Sequence, residues 1–118
     1  MITVPKRESL DPSGGPLTVE AWIYARQPRG VIIARGGASH GYVLALEGGK
    51  AVFMVRISDQ LKKVKGASEI TGRWAHVAGV LTADKKLEIY VDGRKEGTIN
   101  VGSFIQKDPA DGMEIGWE

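Results

Sequence analysis

A chain of 118 residues with 16 basic and 14 acidic side chains, a net charge of +2 and no cysteine sets several function classes aside at once. The near balance of charge gives no electrostatic footprint for nucleic acid, and the missing cysteines remove disulfides, thiolate catalysis and cysteine-based zinc sites. With 42% hydrophobic and 25% charged residues, the composition is that of an ordinary folded domain able to bury roughly two thirds of its unfolded surface without a metal or disulfide.

The opening segment MITVPKRESL carries no apolar core of a signal peptide, and no later run approaches membrane-spanning length. From residue 17 to 25 the chain alternates. Leu17, Val19, Ala21 and Ile23 fall on one face and Thr18, Glu20, Trp22 and Tyr24 on the other, the period of a half-buried strand. Further strands are expected at 30–35, 41–47, 50–57 and 61–65, separated by Pro28-Arg29-Gly30, Gly36-Gly37 and Gly48-Gly49. Asp59 to Lys65 has room for one helical turn, but Gly66 and the Val/Lys alternation favour a strand. Arg73 to Asn100 then writes out three antiparallel strands: 74–82, 87–92 and the strand after Asp92-Gly93. Ala83 to Lys86 forms the first turn, and Asp92-Gly93 tolerates the positive φ angles of the second. A last strand is expected at 113–117, after the turn Asp108 to Gly112. No window sustains the spacing of a core helix, so the expected class is all-β, a sandwich or barrel.

Five segments in this order and spacing carry a resemblance: Thr18 to Ile23, Gly41 to Leu46, Trp74 to Val80, Leu87 to Gly93, and Glu114 to Gly116. Together they resemble the laminin-G-like jelly-roll domains of the concanavalin A-like lectin/glucanase superfamily, over nearly the whole chain. The resemblance implies two antiparallel sheets packed face to face, one of them curved, in a domain spanning 1–118 that belongs to a larger protein. It also implies an extracellular or cell-envelope setting, since such domains are commonly appended to secreted bacterial glycosidases and sulfatases and to adhesion proteins. Domains of this kind continue past the Ile-Gly strand into one more strand beside the N-terminal one, whereas this sequence stops at Trp117-Glu118. A missing last strand would leave a sheet edge near residues 2–5 unpaired, so a homodimer through that edge is expected.

Tests for chemistry point away from catalysis. Gly37-Ala38-Ser39-His40-Gly41 matches the G-x-S-x-G pattern, but a nucleophile elbow needs a helix after the serine and here a strand follows. Glucanases of the superfamily alternate carboxylates along one strand, and nothing matches. The nearest pair, Glu88 and Asp92, lies four residues apart on one strand face, about 13 Å at 3.3 Å per residue, beyond the 5–9.5 Å that glycoside hydrolysis uses. His40 and His76 fall on different elements with no zinc-like spacing. His76 stands on a strand that is apolar on both faces, which reads as a central strand covered on both sides and a structural histidine. Asp108 and Asp111 share a loop where calcium is the one conceivable ion, although turn formation accounts for both. Lys62, Lys63 and Lys65 read as edge-protecting lysines ahead of a contact with an anionic polysaccharide.

Surface recognition remains. Glu20, Trp22, Tyr24, Glu88 and Tyr90 are expected on one outward face, where rings pack on pyranose C–H faces and carboxylates accept hydroxyl hydrogen bonds. The expected function is a non-catalytic module that binds a glycan or docks onto adjacent domains, with no cofactor, no nucleic acid and no membrane insertion. Ordinary packing of those aromatics against a neighbouring domain is the competing expectation, and a divergent hydrolase the most distant one.

Overall fold

The computed structural model describes residues 2–9, 15–36, 41–57, 60–103 and 113–115. They form ten strands: β1 (Ile2–Ser9), β2 (Leu17–Ala25), β3 (Gly30–Gly36), β4 (Gly41–Glu47), β5 (Lys50–Ile57), β6 (Gln60–Lys65), β7 (Trp74–Leu81), β8 (Lys86–Val91), β9 (Arg94–Asn100) and β10 (Met113–Ile115). All pair antiparallel in two five-stranded sheets, one in the order β1-β2-β7-β8-β9 and the other β10-β3-β4-β5-β6. Among the described residues no helix is long and apolar enough to cross a membrane. The all-β jelly-roll sandwich expected from the sequence is the fold observed.

Two alternating faces build one core between the sheets. Leu17, Val19, Ala21 and Ile23 of β2, Val77 and Leu81 of β7, and Leu87, Ile89 and Val91 of β8 are buried on the inner side of the first sheet. They meet Tyr42, Leu44 and Leu46 of β4, Phe53 and Val55 of β5, and Val64 of β6. In a strand this period-two burial turns every other side chain outward, so the inner pattern of β2 also fixes where Glu20, Trp22 and Tyr24 stand. Gly79 marks a close approach between the layers. A Cβ built there would lie 2.2 Å from Cγ of Phe53, so the aromatic ring occupies the space a side chain would need.

Three irregularities redirect the chain. On β3 the register shifts between Val31 and Ile33, and Ile32 and Ile33 are consecutively buried. On β1 the shift lies between Thr3 and Lys6, where Pro5 has no N–H to give to a ladder. On β9 the step from Gly97 to Lys95 leaves Glu96 as the extra residue opposite Ile89 and Tyr90. The bulge lets the Glu96 carboxylate reach the loop after β6, where it accepts hydrogen bonds from the Ala67 N–H at 2.9 Å, the Ser68 N–H at 3.0 Å and the Ser68 hydroxyl. The adjacent edges of the two sheets are thereby tied together.

The turns follow their side-chain chemistry. Asp92 and Gly93 both take positive φ, 51° and 82°, as a hairpin with the twist of its strands requires. Between β7 and β8 the left-handed residue is Lys85, with φ of 61°, and the Lys86 N–H donates to the Thr82 hydroxyl at 3.1 Å. Several strand ends move by a residue from the sequence reading: β7 ends at Leu81, β8 runs Lys86–Val91, and β6 starts at Gln60. The N-terminal strand extends over Ile2–Ser9, well beyond residues 2–5, because its register follows β2 along nearly its full length. It is an edge of its sheet, paired only with β2 among the described residues. β6 is the edge of the other sheet, consistent with the lysine pattern there, and Lys63 is ion-paired with Glu47. Residues 116–117 of the expected last strand, the segment 37–40 and the loop 108–112 lie outside the described residues.

Candidate functional site

The outer face of the first sheet collects every residue expected at the site. Cross-strand register sets them in rows: Tyr24 opposite Trp74, Trp22 opposite His76, and Glu20 opposite Ala78 and then Tyr90. Thr18 opposite Val80 and Glu88 completes the face. Successive rows lie about 6.6 Å apart, two residues along a strand.

Two tryptophans dominate the exposed surface. Trp22 is 47% and Trp74 51% exposed, although each carries a large apolar ring. Each is held by a neighbour on the opposite strand: Trp22 packs on the His76 ring at 5.3 Å between centroids, and Trp74 meets Tyr24 edge-on at 5.7 Å. Such pairs fix ring orientation while leaving the other ring surface to solvent.

Polar groups are fastened around these rings. The His76 Nε2–H donates to Oε1 of Glu20 at 2.9 Å, which orients the imidazole beneath Trp22. The backbone N–H of His76 donates to Oδ1 of Asp92 at 3.0 Å, and Arg73 Nη1 pairs with Oδ2 of the same carboxylate at 2.9 Å. The His76 N–H contact is the leading cause that holds the Asp92 carboxyl below its usual range; partial burial opposes it and Arg73 adds to it. Arg73 also donates to the carbonyl of Trp74 at 3.2 Å, so the start of β7 is braced from the Asp92 turn.

Glu88 behaves differently from Glu20. It is only 8% exposed, accepts the Tyr90 hydroxyl at 2.8 Å, and lies 3.3 Å from Lys95 Nζ. The hydrogen bond to Glu88 raises the Tyr90 phenol above its ordinary range, and burial adds to it. Glu88 and Tyr90 therefore form a closed polar group on the face, whereas Glu20 remains more open to solvent, its side chain 37% exposed.

One expectation is corrected here. The strand of His76 is not covered on both sides: Trp74 is half exposed and the His76 side chain keeps 24% of its surface. Its outward row looks apolar in sequence because Ala78 and Val80 follow Trp74 and His76, yet no described element overlies it. Trp74 and His76 thus join the site that sequence alternation assigned to β2 and β8. The signal was the alternation Trp74, His76 itself; what local sequence could not supply was that β7 runs beside β2.

Two depressions open on the described surface, one at this face and one on the opposite sheet. One, of about 510 Å³, opens at the end of the aromatic rows and is lined by Tyr24, Arg26, Gly72 and Trp74. The other, of about 590 Å³, lies on the outer side of the second sheet among Val31, Val43, Ala45 and Met54, with Arg29 and Glu47 at its margin. Among the described residues no group of three or more histidines and carboxylates could hold a metal ion. Asp108 and Asp111, the residues considered for calcium, lie outside the described residues, as does Ser39.

Comparison with known proteins agrees with this architecture. No curated protein matches the chain. The LG4-5 domains of the mouse laminin α1 chain superpose with a TM-score of 0.73 at 18% identity, over 96% of this chain and 30% of that one. The botulinum neurotoxin serotype D binding domain gives 0.60 at 12% identity, over 92% and 36%. The binding domain of botulinum neurotoxin DC in complex with rat synaptotagmin II gives 0.60 at 15% identity, over 92% and 35%. The chain thus spans about a third of the length of these structures, and at such identities the likeness is one of fold. A family model described as the concanavalin A-like lectin/glucanases superfamily, of laminin G type, matches residues 1–118. The chain belongs to the laminin-G-like domains of the concanavalin A-like lectin/glucanase superfamily.

Proposed function

We propose that the chain is a non-catalytic glycan-binding module of a larger extracellular protein, a secreted bacterial glycosidase or sulfatase, and that it binds through the outer face of the β1-β2-β7-β8-β9 sheet. One observation carries the reading. Trp22 and Trp74 stand about half exposed on adjacent strands of one face, each buttressed by a ring and flanked by an oriented carboxylate or arginine. Exposed aromatics in fixed poses give sugar C–H faces a surface to pack on at little entropic cost, and the more open Glu20 carboxylate supplies a hydroxyl partner. Glu88 is closed over by Lys95 and Tyr90 and Glu20 is held by His76, so Glu20 serves as a fixed acceptor and the two do not read as a general acid and nucleophile. A structural neighbour at TM-score 0.57 and 14% identity is botulinum neurotoxin type C, whose cell entry depends on interaction with two ganglioside molecules. That neighbour accords with glycan recognition on a related sandwich without assigning a site.

A second reading, docking onto an adjacent domain of the parent, is favoured by the apolar depression around Val43 and Met54 on the opposite sheet. A glycan array separates the two. The glycan reading expects at least one bound sugar class, with Trp22→Ala and Trp74→Ala each weakening it about tenfold or more. An array without binding, or variants that bind like the parent, refutes it and leaves docking as the function.

A further inference from the structure

The cleft at the end of the aromatic rows has a chemistry of its own. Its lining is Tyr24, Trp74, Gly72 and Arg26, so its charged side chain is a cation. Two arginines stand near the aromatic pair, and they differ. Arg73 is spent, its guanidinium held by Asp92 and by the carbonyl of Trp74. Arg26 has no carboxylate partner among the described residues, although it lines a concave surface where a charge is focused. Glu20, the open carboxylate of the face, is six residues back along the chain, about 20 Å away at strand rise, and is already bonded to His76.

From this arrangement we infer that the cleft is a subsite for a carboxylated sugar, with Tyr24 and Trp74 against the ring and Arg26 receiving the carboxylate. The inference rests on the glycan reading above and names the ligand class at one end of that face. A guanidinium presents parallel N–H groups that match a carboxylate bidentately, which an ammonium does not. A volume of about 510 Å³ falls within the usual range for small-ligand pockets, roughly 300–1,000 Å³. Gly72 completes the lining. Its φ of 81° suits glycine, its N–H donates to the Ala25 carbonyl at 2.8 Å, and a Cβ there would meet no atom within 4 Å. The edge-on Tyr24 contact holds Trp74 in place, so the aromatic wall of the cleft that Arg26 also lines is preformed.

The test is calorimetric titration of the chain with a panel of uronate- and sialate-bearing oligosaccharides, each beside its carboxyl-reduced counterpart. The expected result is an acidic oligosaccharide bound about tenfold or more tightly than its neutral counterpart. Arg26→Gln should lose that margin for the acid while leaving the neutral sugar unchanged, and Arg26→Lys should recover only part of it. Arg26 is exposed, so these variants fold as the parent does. Equal binding of acidic and neutral partners, or an Arg26→Gln variant that keeps the preference, overturns the subsite while the Trp22- and Trp74-dependent platform stands. A sulfated oligosaccharide that outcompetes every carboxylated one also overturns it. Loss of all sugar binding by the parent overturns both the subsite and the platform.

Discussion

Replacing Gly79 with alanine tests the packing that places the recognition face. Gly79 sits on β7 without a positive φ, so alanine can adopt its backbone, and the perturbation is steric. The new methyl would lie 2.2, 2.4 and 2.6 Å from Cγ, Cδ1 and Cδ2 of Phe53, where carbon contacts settle at about 3.5–4.0 Å. The ring must therefore retreat by more than about 1 Å inside a close-packed core. Overpacking of this kind costs roughly 1–3 kcal/mol, and the lower entropy of the unfolded alanine chain returns about 0.4–1 kcal/mol. A net loss of about 1–2 kcal/mol is expected, a shift of roughly 3–10 °C in the thermal midpoint for a domain of this size. Urea unfolding followed by circular dichroism measures it. Phe53→Leu in the Gly79→Ala background should restore part of the loss, so that the double variant falls short of the summed singles by about 1 kcal/mol. A Gly79→Ala variant as stable as the parent, or strict additivity with Phe53→Leu, refutes the contact between the two layers.

Glu96 carries a second prediction. Burial pushes its carboxyl up, but hydrogen bonds from Ser68 and Ala67 outweigh burial, and the group is held below its usual range. Its contribution is therefore present above the unfolded carboxylate value and is lost as pH falls through the lower folded value. Glu96→Gln should cost about 1–2 kcal/mol at neutral pH and should flatten the acid limb of a stability profile measured by urea unfolding; an unchanged limb would show that the bulge does not tie the sheet edges. At the Asp92 turn, asparagine tolerates the positive φ and retains an acceptor for the His76 N–H. Asp92→Asn should stay within about 1 kcal/mol of the parent, and Asp92→Ala should lose clearly more in the same assay. Glu88→Gln should bring the Tyr90 phenol back down toward its ordinary value, read by ultraviolet titration of phenolate against Tyr90→Phe; no movement would break the proposed Tyr90–Glu88 coupling.

The fold was legible where chemistry was local. Alternation in β2 placed Trp22 and Tyr24 outward and Val19 and Ile23 inward, and the observed burial follows it. Asp92-Gly93 announced a hairpin whose two positive φ values are present. The site was legible by halves. Glu20, Trp22, Tyr24, Glu88 and Tyr90 could be assigned to outward rows, but the Glu20–His76 bond spans 56 residues and depends on the β2–β7 register. The same register brings Trp74 beside Tyr24, a pairing that no local pattern states. Glu88 illustrates the opposite limit: an outward position did not mean an open one, because Lys95 and Tyr90 close over its carboxylate. The cleft at Arg26 escaped the sequence reading because it is made by two strand ends and a turn residue far apart in the chain.

The central claim places ligand against two indoles, and the indole N–H resonances report on it directly. The chain has three tryptophans, giving three such signals in a proton–nitrogen correlation spectrum, assigned by single Trp→Phe variants. Titration with the glycan selected on the array should move the Trp22 and Trp74 signals along one saturable curve while amides of Val43 and Met54 on the far sheet stay fixed. Shifts confined to the Val43–Met54 side, with both indole signals unmoved, would contradict the account.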